Sequence, residues 1–87
     1  MAKSSFADLN LALDDACEFL RSFTLGRRGF TQRDGLAAVQ RVADLCDRLK
    51  ELFASGPHAA AAAAVVNAGR ARVVAARDRL ALLRRKH

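Results

Sequence analysis

Four kinds of residue in this chain carry side chains able to do chemistry: two cysteines, two histidines, an adjacent pair of aspartates and a set of arginines. Cys17 and Cys46 lie far apart, with no CxxC spacing and no histidine within a few residues of either. Zinc sites and redox pairs need closer clustering, so the two thiols read as small buried hydrophobes in a reduced compartment. Asp14 and Asp15 are neighbours. On a helix they point roughly a quarter-turn apart and do not face each other as an acid/base pair. His58 follows Pro57 and reads as an exposed first-turn residue, while His87 falls on a frayed tail. No Ser/His/Asp order and no Cys–His neighbourhood is present, so the expectation is a protein that is not an enzyme and takes no cofactor or metal.

The arginines offer more. Arg27 and Arg28 stand between Gly26 and Gly29, where exposed amides and two guanidiniums are able to converge on a phosphate. The stretch lacks the G-x-x-x-x-G-K-[ST] spacing of a P-loop, and an ordinary polar connection accounts for it as well. Phe30 beside it reads as a core residue rather than a base-stacking one. The second set lies near the C-terminus. With Val66 taken as position a and Gly69 as d of a heptad, Arg70, Arg77 and Arg84 fall at e, and Arg72, Arg79 and Lys86 at g; Arg85 adds a seventh cation. Cations on both flanks of an apolar seam disfavour parallel pairing of two such helices. These residues read either as a solvated rim, partly facing an acidic helix, or as a basic stripe for phosphate or carboxylate.

Composition limits the setting in which these groups act. The chain has 87 residues, 52% hydrophobic and 28% charged. That is a globular composition with room for one small core, and it excludes a multidomain enzyme, a collagen-like fibre and a disulfide scaffold. Fifteen Lys+Arg against nine Asp+Glu give +6, which favours an acidic partner. Alanine is abundant, and Ile, Trp and Tyr are absent. The excess of Arg over Lys therefore also fits GC-rich codon choice and is weak evidence for phosphate recognition. Met1–Ser5 carries no apolar leader, and the charge-free stretch from Gly56 to Gly69 is mostly alanine. It falls short of the ~20 strongly apolar residues that cross a bilayer. The expectation is a soluble, cytoplasmic chain with no membrane span.

The elements that position these residues are three helices, at about 5–24, 31–54 and 57–86, in a single all-α domain. The expected form is a three-helix bundle or an elongated hairpin preceded by a shorter helix, with the third helix longest. Glycines cluster at 26–35 and at 56, beside the one proline, and β-branched residues are too few for a sheet. Ser5 with Asp8, and Thr31 with Asp34, have the spacing of capping boxes. Phe6, Leu9, Leu13, Ala16, Leu20 and Phe23 alternate by three and four, making one stripe. The second helix has two adjoining stripes: Leu36, Val39, Ala43, Cys46 and Phe53, then Val42, Leu45, Leu49 and Leu52. In the third, Ala62, Val66, Gly69, Val73, Ala76, Leu80 and Leu83 keep a heptad, and Gly69 marks a close approach. Charge is segregated along the chain: the first segment is acidic, the second neutral and the third strongly basic.

Leu11, Phe19 and Leu25 lie off the first stripe, and Leu45 and Leu52 widen the second. This surplus apolar surface predicts association, as a homodimer, with a protein partner, or both. The expected function is a small interaction or regulatory protein that docks on an acidic protein surface through those faces and the Arg-rich third helix. Adaptors and phage- or plasmid-encoded inhibitors share this form, by analogy of form alone. The alternative is sequence-independent nucleic-acid binding through the same arginines and the Gly26–Gly29 loop. Base-specific reading is disfavoured, because the third helix opens with six alanines, which make no directional hydrogen bonds to base edges.

Overall fold

The computed structural model describes residues 5–26 and 31–85, with side chains as far as Leu83. It contains α1 (Phe6–Thr24), α2 (Gln32–Leu52) and α3 (Ala59–Arg85), with no strand among the described residues. At 1.5 Å per residue these helices measure roughly 28, 31 and 40 Å, so α3 accounts for most of the 47 Å long axis.

α1 and α2 each begin where local chemistry supplies a cap. Ser5 is extended and its hydroxyl accepts from the Asp8 amide at 3.1 Å, one half of the reciprocal pair expected there. At α2 both halves form. Thr31 Oγ1 accepts from the Asp34 amide at 3.2 Å, and the Thr31 amide donates to Asp34 Oδ2 at 2.9 Å. α1 ends on Leu25 and Gly26, whose amides donate to Arg21 and Phe23 carbonyls; Gly26 has φ +73°, a conformation glycine adopts without penalty. Gly56, at φ +97°, lies past the end of α2 in the turn that leads into α3, its carbonyl accepting from the Ala59 amide at 3.2 Å.

Two boundaries differ from expectation. α2 ends at Leu52 rather than Ala54, because Phe53 leaves the helical region (ψ 36°) and its ring turns inward. α3 begins at Ala59 rather than Pro57, with the His58 carbonyl accepting its first helical bond from Ala62 at 2.8 Å.

The chain runs up, down and up, and all three helices contact one another around a common core. The expected stripe of α1 is buried from Leu9 to Phe23, with Phe6 half-buried. The heptad of α3 is buried from Ala62 to Leu80, with Leu83 half-buried. Leu13, Leu20, Val42, Cys46 and Leu49 are the most deeply enclosed.

α2 corrects the sequence reading. Its buried face is Gly35, Ala38, Val39, Val42, Cys46 and Leu49. Leu36 is 50% exposed and Leu52 53% exposed, while Leu45 and Ala43 are half-buried. At the start of α2 the reason is Phe23: its ring lies directly over Gly35, so that a Cβ there would stand 2.7 Å from Cε1 and Cε2. That large ring claims the space at Gly35, which turns Leu36 out to solvent.

Candidate interaction site

The close approach predicted for Gly69 is present. A Cβ at Gly69 would stand 2.7 Å from Cys46 Sγ and 3.5 Å from Leu13 Cδ1 and Val42 Cγ1, so α3 crosses both neighbours with no side chain between. Cys46 lies buried at this crossing and donates weakly to the Val66 carbonyl at 3.8 Å. Cys17 is half-buried, and both cysteines are free thiols. Burial pushes the Cys17 thiol above its ordinary range, with Arg72 drawing it back and Asp14 adding to the rise. Cys46 is raised by burial first, then by Cys17 and Asp47, against the pull of Arg70. Protonated thiols in such settings are poor nucleophiles and poor metal ligands. No group of three or more His, Cys, Asp or Glu able to hold a metal occurs among the described residues.

α3's arginines divide between its two flanks. Arg72 and Arg79 fall on the α1 side: Arg72 acts on Cys17, and the Arg79 guanidinium lies against Gly26 at the end of α1, with Nη2 2.9 Å from where a Cβ would be. A cation there suits the negative end of the α1 dipole, although Arg79 Nε is buried without a hydrogen-bond partner. Arg70 and Arg77 fall on the α2 side and are exposed. Arg72 and Arg79 thus face the acidic α1, yet no ion pair joins an α3 arginine to an α1 carboxylate among the described residues. The ion pair α1 makes is its own, Glu18 with Arg21 at 3.7 Å.

Arg70 and Arg77, with Asp47, line an open groove of about 310 Å³ between α2 and α3, floored by Ala43, Cys46, Val73 and Val74. Arg70 also borders the space below it, about 280 Å³ lined by Lys50, Phe53, Ala54, Ala59, Ala63, Val66 and Asn67. The two lie end to end along the α2/α3 seam, with Arg70 lining both. Their floor is apolar and largely small, Val74 on its edge is 58% exposed, and their cations outnumber the single carboxylate.

Of the expected apolar contacts, Leu11 is 62% exposed, Leu25 59% and Phe19 42%. Phe19 borders a second groove, between α1 and α2, with Asp15, Asp34, Ala37, Ala38 and Arg41. Leu45 is only half available, since it also packs against the core. Arg27, Arg28, Phe30 and Lys86 lie outside the described residues, as do the side chains of Arg84 and Arg85.

One cluster had no signal in the sequence. His58 stacks on Phe6 with ring centroids 4.8 Å apart, and Phe53 meets both edge-on at 5.4 and 5.9 Å. These rings join the start of α1, the end of α2 and the start of α3, residues too distant in sequence for spacing to connect them. By length and composition Ala59–Leu83 also passes as a membrane span, at a mean hydropathy of 1.2; in the bundle its heptad face is the core. No family model, curated protein or solved structure matches the chain.

Proposed function

We propose that this chain is a non-catalytic interaction protein whose α2/α3 groove receives an acidic amphipathic helix of a protein partner. The observation that carries this reading is the groove itself: a small-residue floor from Ala59 to Val74, edged by Lys50, Arg70 and Arg77. Alanines let a helix backbone come close, and the exposed Val74 supplies an apolar contact beside the cations. The cations select a partner by charge and speed its encounter, more than they add raw affinity. Phe19 and Leu52, exposed on other parts of the surface, offer further apolar contact.

A labelled synthetic helix of repeating Leu, Ala and Glu, titrated at low and high salt beside random-sequence duplex DNA, tests this. The peptide should bind, and Arg70→Glu with Arg77→Glu should weaken it about tenfold, leaving the circular dichroism unchanged. Peptide binding that ignores both substitutions refutes the groove. DNA binding that falls steeply with salt, without peptide binding, moves the arginines to phosphate recognition.

A further inference from the structure

The groove's requirements are a helix about as long as its two spaces together, acidic, with an apolar contact on the same face. α1 of this chain meets them. Its outward face carries exposed Asp8, Asp14, Asp15 and Glu18 around Leu11, and Leu25 follows at its end. The two spaces together follow α3 from Ala59 to Arg77, roughly 27 Å at 1.5 Å per residue, against roughly 28 Å for α1. α1 is the one acidic helix of the three; α2 is neutral and α3 strongly basic.

We infer that the outward face of α1 in one copy docks into the α2/α3 groove of a second copy. The inference rests on the groove being a site for an acidic helix. Leu11 lies about 160° around α1 from its core stripe, so in a three-helix bundle its face points away from the α2/α3 seam. A contact between opposite sides of the molecule is heterologous. One copy gives its α1 face and keeps a free groove; the next gives its groove and keeps a free α1. The association is head-to-tail and grows with concentration. Two-fold pairing of groove against groove would bring Arg70 and Arg77 of both copies together and is opposed by their charge. With little apolar area beyond Leu11 and Leu25, the contact is weak and depends on ion pairing. A partner helix with a larger apolar face displaces it, so self-docking also covers the groove until that partner arrives.

Sedimentation velocity of the full chain over a concentration series tests this at low and high salt. The average mass should rise past two chains at low salt and return to one at high salt. Two variants then separate the faces: Asp14→Asn and Asp15→Asn with Glu18→Gln neutralises α1, and Arg70→Glu with Arg77→Glu reverses the groove. Each alone should be monomeric, and their mixture should form a one-to-one complex that grows no further, since one intact face of each kind remains. A monomer at every concentration in low salt overturns self-docking, while the Leu/Ala/Glu peptide still reports on the groove by itself. A dimer that stops at two chains and survives both substitutions also overturns it, and places the contact on another face.

Discussion

At the scale of single residues, two glycines decide how closely the helices pack. Gly69 is the more informative, because two effects of opposite sign meet there. Alanine at a helix interior position is favoured over glycine by about 1 kcal/mol, but its Cβ would stand 2.7 Å from Cys46 Sγ, and overpacking a core costs about 1–3 kcal/mol. Cys46 is 2% exposed, and its sulfur would have to shift to admit the methyl. Gly69→Ala should therefore destabilise the protein by about 1 kcal/mol in urea unfolding. Placed on a Cys46→Ala background, where the sulfur is gone, the same change should be neutral or stabilising. An increase in stability from Gly69→Ala alone would mean the crossing is looser than described. The heptad, with a glycine at a core position, already implied this contact. Gly35 is the contrary case. It stands next to Leu36, the more hydrophobic residue, and nothing local shows that the Phe23 ring would take its place in the core.

At the scale of elements, the two capped starts and the end of α1 were legible, and the end of α2 and the start of α3 less so. A cap is a contact between residues three apart, so Thr31 and Asp34 announce α2 by themselves. Thr31→Ala should cost about 1 kcal/mol, read as a lower urea midpoint with an unchanged slope. A loss under a few tenths would show that the hydroxyl's bond is replaced by water. The end of α2 is settled by tertiary contact. Nothing in Leu52-Phe53-Ala54 breaks a helix, yet Phe53 leaves it to meet Phe6 at the start of α1 and His58 in the turn before α3. The same distinction holds for α3's arginines. Their seven-residue spacing puts Arg70 and Arg77 on one flank and Arg72 and Arg79 on the other, but only the packed neighbours make the first flank a groove and set Arg79 against the end of α1.

At the scale of the molecule, stability resides in one thin core, and exposed leucines should contribute little to it. Leu20 is fully buried and Leu11 is 62% exposed. Leu20→Ala should cost about 2–5 kcal/mol, a large part of the ~5–15 kcal/mol that holds a domain folded. Leu11→Ala should stay within about 0.5 kcal/mol. Thermal melts of the two variants at low protein concentration give the comparison directly. Similar losses from both would mean Leu11 belongs to a folded-state contact even in the monomer. The charge map is also a property of the whole. An acidic α1 and a basic α3 in one bundle would be expected to pair internally, yet the ion pair α1 makes among the described residues is Glu18 with Arg21. Asp8, Asp14 and Asp15 on its outer face, and Lys50, Arg70 and Arg77 along the groove, make no ion pair among the described residues.

Sequence alone determined what depends on period and near neighbours: three helices, their caps, the α1 and α3 stripes, the segregation of charge and the glycine at the α3 crossing. Hydrophobic spacing carries this information because a helix brings residues three and four apart onto one face whatever surrounds it. Tertiary structure alone decided which residues of α2's two stripes are buried, where α2 stops, how three aromatic rings meet and which arginines edge a groove. Each of these depends on the volume or charge of a side chain from another helix, and no spacing within one helix records what the next will place against it.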